Sequence, residues 1–138
     1  MPNTNTCNLS GVYVRYHDTA TYGGVSEDSI KDNVPFDICL ALEAGQNIFG
    51  MPAAYNLHVA LNDLSNSSTT VYADDLAGAL GDPGWAALDF VHAFAVPQAL
   101  ITAALDGHAF QVVGVMSVGK NDPIVEAKLS EVFIITQA

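Results

Sequence analysis

The sequence predicts an all-β fold: an antiparallel two-sheet β-sandwich of about seven strands. Three observations carry this. Apolar and polar residues alternate with a period of two over several runs, no helical pattern reaches the length of an ordinary helix, and clusters of Gly, Pro, Asn, Asp and Ser separate the runs. Strands that follow one another without intervening helices pair antiparallel, and two such sheets bury their apolar faces against each other. At 138 residues the chain reads as one domain, residues 1–138, with a polar N-terminal segment over 1–10. A domain of that size buries roughly two-thirds of its unfolded surface, so no metal or disulfide staple is required.

The first strand runs from Gly11 to His17, with Val12, Val14 and Tyr16 on one face and Tyr13, Arg15 and His17 on the other. A polar, Gly-rich connection spans Asp18 to Asn33. Behind Pro35, Phe36, Ile38, Leu40 and Leu42 alternate with Asp37, Cys39, Ala41 and Glu43 until Gly45 ends the run. Tyr55, Leu57, Val59 and Leu61 face inward in the next strand, leaving Asn56, His58, Ala60 and Asn62 outside, and Asn62 to Ser68 is a loop. Thr69 to Ala73 is a short strand by its β-branched and aromatic content, and Asp74 to Leu80 fits one helical turn capped by Asp74. From Trp85 to Val96, the residues Leu88, Phe90, His92, Phe94 and Val96 share a face, and Pro97 stops the strand because it has no N–H to donate. Pro97 to Leu105 suits a short helical corner.

Two apolar runs, one ending at Val118 and one from Ile124 to Thr136, flank Gly119-Lys120-Asn121-Asp122-Pro123 and predict a hairpin. Within the second run Val132 and Ile134 fall out of phase with Val125, Ala127 and Leu129. A β-bulge near Ser130 would shift the face by one residue and carry Val132 and Ile134 onto the core side; without it they form an exposed apolar pair that wants a partner. The predicted core is Phe36, Ile38, Leu40, Leu57, Val59, Leu61, Phe90, Phe94, Phe110, Val112, Val115, Leu129 and Ile134.

Asp106-Gly107-His108-Ala109-Phe110-Gln111-Val112 resembles the corner that opens the penultimate strand of fibronectin type III and immunoglobulin-like domains, with Phe110 where those corners carry a Tyr hydroxyl. The resemblance covers about a tenth of the chain and implies an immunoglobulin-like sandwich.

Composition narrows the function classes. The chain carries 15 Asp and Glu against 4 Lys and Arg, a formal net charge of −11, which argues against nucleic acid or anionic membrane partners because both need clustered positive charge. Only 14% of residues are charged, so much of the exterior must be small and uncharged, a surface suited to an oligomer or a protein partner or typical of a secreted or acid-adapted protein. No apolar segment is long enough to span a membrane as a helix, and Met1 to Thr6 lacks the charged and apolar regions of a signal peptide, so the compartment stays open. Cys7 and Cys39 read as two free thiols or one bridge, with no neighbouring His to make a zinc motif. Asn8-Leu9-Ser10 and Asn66-Ser67-Ser68 match the glycosylation acceptor pattern, which matters only in a eukaryotic secretory pathway.

No catalytic signature is present: neither a nucleophile elbow, a phosphate loop, a zinc-protease helix nor a dinucleotide fingerprint. No cofactor and no metal ligand set is expected. His17 and His58 fall on outward faces and read as solvated. His92 and His108 each sit in a His-Ala-Phe triplet; both read as boundary histidines that need a hydrogen-bond partner, or as ligand or general-base groups oriented by Asp89 or Asp106. Acidic loops at Glu27-Asp28, Asp74-Asp75 with Asp82, and Asp122 offer oxygen ligands of the kind calcium takes, without the regular spacing of a calcium loop. Trp85 and Tyr72, with Tyr55, are the candidate stacking rings for a carbohydrate, and Trp85, His92, His108 and Tyr72 make up the candidate ligand site. Val132 and Ile134 are the candidate interface. The expectation is a non-catalytic sandwich for protein–protein recognition or homo-oligomeric assembly; a carbohydrate or small-ligand binding module comes second, and a small enzyme using His92 or His108 third.

Overall fold

In the computed structural model, which describes residues 5–121 and 123–138, nine strands make two sheets, an all-β sandwich as expected. The acidic position Asp122 and the first four residues of the N-terminal segment lie outside the described residues. In chain order the elements are β1 (Cys7–Tyr16), α1 (Thr19–Tyr22), β2 (Ser29–Lys31), β3 (Phe36–Ala44), α2 (Gln46–Gly50), β4 (Ala54–Asp63), β5 (Thr69–Ala79), β6 (Asp89–Val96), β7 (Ala109–Val118), β8 (Ile124–Leu129) and β9 (Phe133–Thr136). One sheet has the order β1-β3-β6. The other runs β2-β9-β7-β4-β5, with β8 also paired to β7. All pairs are antiparallel except β2 with β9.

The strand count exceeds seven for local reasons. Ser29–Lys31, inside what reads as a polar connection, adds a short parallel edge beyond β9, where only Ile30 is buried. The first strand begins at Cys7 rather than Gly11, because Cys7 and Leu9 already face the core opposite Ala44 and Leu42. Asp74 to Ala79 is not a helical turn: it continues β5 along β4, pairing Asp75 with His58 and Leu76 with Leu57, so the ladder overrides the capping signal of Asp74. Trp85 stands before β6, in the turn that leads to it. The corner after Pro97 is two 3-10 turns, Gln98–Leu100 and Ala103–Leu105.

The core lies between the sheets. Phe36, Ile38, Leu40 and Leu42 of β3 face Tyr55, Leu57, Val59 and Leu61 of β4 and Phe110, Val112, Met116 and Val118 of β7, all buried. Gly114 holds the middle of the inner row of β7, because a Cβ there would come within 2.7 Å of Val12 Cγ2 and 2.8 Å of Leu40 Cδ2. That row fixes the parity of β7 and turns Val115 outward, against the predicted core; Phe90 is only half-buried on the edge strand β6.

The expected bulge exists, with its phase reversed. Between the pairs Val113–Leu129 and Phe110–Phe133, β7 advances three residues and its partner four, so one extra residue is inserted around Ser130. Ser130 fills the break: its N–H donates to the Val112 carbonyl and its hydroxyl accepts from the Val112 N–H at 2.9 Å. Phe133 and Ile135 then enter the core, stacking Phe133 on Phe110, while Val132 and Ile134 stay out. Leu129 and Ile134 are therefore outer-face residues, not core. Alternation misleads here because β8 reaches the open side of the sandwich, where Glu126 and Lys128 occupy the inward positions.

Candidate functional site

The sandwich has two open sides, and the candidate residues Trp85, Tyr72 and His92 lie on one of them. On the side where β5 faces β6, the segment 79–85 folds around the Asp82 carboxylate. It accepts from the Tyr55 hydroxyl at 2.6 Å and from the backbone N–H groups of Ala79, Gly84 and Trp85 at 3.1, 3.0 and 3.2 Å. Those donors, the Tyr55 hydroxyl first, hold the Asp82 carboxyl below the usual carboxylate range. Burial, reinforced by the bond to Asp82, raises Tyr55 well above an ordinary phenol. Trp85 is 0% exposed and packs on Tyr55 at 5.5 Å between ring centroids. Neither ring offers a stacking face, so Trp85 belongs to the core of this side; the Asp-Pro-Gly-Trp turn ahead of the strand was the signal for a buried anchor.

Tyr72 sits half-buried on β5, donating within reach of Asp74 Oδ2 at 2.9 Å and the Ala95 carbonyl of β6 at 3.2 Å, and so ties the two sheets together. Burial, then the Asp74 carboxylate, pushes its phenol up to about 12. His92 packs edge-on to Phe94 at 4.6 Å, and burial pulls its imidazole below the ordinary value. Tyr72, Asp74 and His92 thus share one side of the molecule.

His108 is elsewhere, at the start of β7 in the other sheet. Its Nδ1 lies 2.8 Å from Asp63 Oδ2, and the buried Asp63 also accepts the Ser65 N–H at 3.0 Å. Its carboxylate partner is Asp63, not Asp106. His17 and His58 point outward as expected, but each is bonded through Nδ1 to a carboxylate, Asp37 at 2.7 Å and Asp75 respectively. Asp106 faces the buried Asp32 instead; the hydrogen bond between the two carboxyls, with burial next, raises the Asp106 pKa. Cys39 lies beside Asp37 and Tyr13 on the outer row of β3. It is fully buried, and burial pushes its thiol up to about 11, so it is a packing residue and no nucleophile. Cys7 faces the core, and both cysteines are unbridged. Among the described residues no three His, Cys, Asp or Glu side chains converge as a metal site, and no helix is long and apolar enough to cross a membrane.

The other open side is built by β8 and β1. Glu126 Oε1 accepts the Leu9 N–H at 2.6 Å and Lys128 Nζ reaches the Ser10 carbonyl at 3.4 Å. A hollow of about 460 Å³ lined by Asn8, Ser10, Glu43, Glu126 and Lys128 opens beside them. A second, of about 440 Å³, continues past Ser10 and Glu43 over Ala41 and Val91. On the outer face of the same sheet, Leu129, Val113, Ala60 and Ala73 form one cross-strand row and Ala127, Val115, His58 and Asp75 the next. Outward positions of β8, β7 and β4 hold no Asp, Glu, Lys or Arg. Along this face Val125 is 59% exposed, Leu129 61%, Val132 47% and Ile134 37%. The two candidate interface residues therefore belong to a larger patch, whose outer members alternation had assigned to the core.

No family model and no curated protein matches the chain. Among solved structures, the chain is similar to the C-terminal domain of wzt, with a TM-score of 0.58 at 10% identity over 99% of this chain and 77% of that one. A putative beta-galactosidase from Bacteroides fragilis aligns with a TM-score of 0.46 at 14% identity, over 85% of this chain and 15% of that one. The first likeness is one of fold.

Proposed function

We propose that this domain is a non-catalytic assembly module whose contact surface is the outer face of the six-stranded sheet at its β8 end. One observation carries the reading: a chain of net charge −11 keeps the outward positions of β8, β7 and β4 free of Asp, Glu, Lys and Arg and leaves Val125, Leu129, Val132 and Ile134 open on that face. Covering apolar surface contributes about 25 cal/mol per Å², and a contact on an uncharged face avoids the like-charge repulsion of so acidic a chain. The partner is protein, with a second copy first. Immunoglobulin-like and fibronectin-like sandwiches, which the 106–112 corner resembles, are scaffolds on which such contacts are built.

Sedimentation velocity over a range of concentration tests this. The chain is expected to self-associate, more strongly as salt screens its charge, and the pair Val125→Thr with Leu129→Thr is expected to abolish association while moving stability by no more than about 0.5 kcal/mol. A chain that stays monomeric at high concentration and high salt overturns the reading. A second reading, a binding module for carbohydrate or another small ligand, is favoured by the meeting of Tyr72, Asp74 and His92 on the β5–β6 side, and it has to do without the Trp85 and Tyr55 rings.

A further inference from the structure

We infer that β8 pairs with β8 of a second copy, antiparallel about Ala127, so that Glu126 of each chain lies opposite Lys128 of the other and the two large sheets become one. This adds an edge contact to the outer-face assembly proposed above and rests on that reading.

Three features of β8 lead there. Its second edge has no partner strand among the described residues: it pairs β7 on one side, whereas β2 covers the same flank of the sheet only along β9. Such an edge is a template for another strand, and the hollow lined by Ser10, Glu126 and Lys128 leaves the space beside it open.

The sequence of β8 is complementary to its own antiparallel image. Turning Ile124-Val125-Glu126-Ala127-Lys128-Leu129 about Ala127 sets Val125 opposite Leu129 on the outer face and Glu126 opposite Lys128 on the inner face, each twice. Centring on residue 126 would oppose glutamate to glutamate, and centring on residue 128 would oppose lysine to lysine. Opposite charges directly across an antiparallel pair stabilise it and like charges destabilise it, so the charges select one register. Lys128 is one of only 4 basic residues in a chain with 15 acidic ones, and it stands two positions from Glu126 on a strand whose outer edge has no partner strand among the described residues. Inward charges commonly guard edges against pairing; this arrangement guards against every strand lacking the matching pattern while accepting itself.

The outer face supplies the third feature. The pairing sets Val125 of each copy beside Leu129 of the other in two symmetry-related rows, with Val113 of β7 continuing each row beyond Leu129 and an Ala127 row that meets Val115 between them, and it adds no carboxylate to that face. A two-fold contact of this kind uses the same patch on both subunits.

Charge swaps read by sedimentation at low salt test the pairing. Glu126→Lys and Lys128→Glu are each expected to weaken association about tenfold or more, and an equimolar mixture of the two variants is expected to regain wild-type association as a heterodimer. The E126K result is the discriminating one, since that change lowers the overall negative charge and general repulsion alone would strengthen association. The double variant E126K/K128E, with the wild-type net charge, is expected to associate as wild type does. Restoration in the mixture also separates lost pairing from lost folding, because two misfolded chains do not repair each other. If wild type associates but E126K and K128E associate equally well, or the mixture does not recover, the β8 pairing is overturned and the outer-face contact stands alone. If wild type is monomeric throughout, the assembly reading falls and the pairing with it.

Discussion

The two open sides of the sandwich are closed by different chemistry. Where β5 meets β6, closure is internal: the Asp82 carboxylate gathers four donors, Trp85 is buried against Tyr55, and Tyr72 bridges to Ala95. Where β8 meets β1, two charged side chains reach backbone groups of Leu9 and Ser10 across a hollow. Hydrogen bonds to a charged, partly enclosed acceptor contribute more than those on an open surface. The first side therefore holds the fold together, and the second costs little to rearrange against another chain.

The largest expected effect comes from breaking the first side. Asp82→Ala removes the acceptor of four donors at once and is expected to destabilise the domain by roughly 3 kcal/mol or more in urea unfolding, whereas Glu126→Ala, which frees one backbone N–H beside open solvent, is expected to cost about 1 kcal/mol or less. Equal losses would erase the contrast between the two sides.

A finer test compares two carboxylates with opposite shifts. The Asp82 pKa is lowered in the fold, so its contribution is present above its ordinary value of 3.8 and is lost as pH falls through the folded value. The Asp106 pKa is raised by its bond to Asp32, so its protonated form is favoured in the fold; that contribution is present in acid and is lost as pH rises through the folded value. Asp106→Asn keeps a donor for Asp32 and removes the like charge. Thermal unfolding is expected to show a higher melting temperature for the variant at neutral pH, with the gap narrowing toward pH 4. A constant gap, or a lower melting temperature at neutral pH, would remove the Asp32–Asp106 interaction from the account.

How much of this was legible depends on what stood across from each strand. β3 and β4 are covered on their inner faces along their whole length, so period-two alternation read the inward residues correctly from Phe36 to Leu42 and from Tyr55 to Leu61, although Asp37 and Cys39 of the outer row of β3 are buried too. β8 meets β1 only across a hollow, and beyond Ile124 its inward positions are polar and its outward ones apolar, the reverse of the rule. The bulge at Ser130 was legible as a break in pattern, but its direction was not, because Phe133 and Ile135 fit the core as well as Val132 and Ile134 do by composition. The helical reading of Asp74 to Leu80 failed for a related reason: capping chemistry is local, and the ladder to β4 is not. The Asp82 cluster left a trace in Asp82-Pro83-Gly84-Trp85, but nothing in the spacing tied it to Tyr55. The partner of His108, Asp63, lies 45 residues away, beyond the reach of any local motif.

The central claim is that the β8 end of the large sheet is the contact surface and the β5 edge is not. Amide hydrogen exchange, followed by mass spectrometry from dilute to concentrated protein, addresses it directly. The account predicts that peptides covering Ile124 to Leu129 become protected as concentration rises while those covering Thr69 to Ala79 do not change. Protection that appears along β5, with β8 exchanging at one rate throughout, would contradict it.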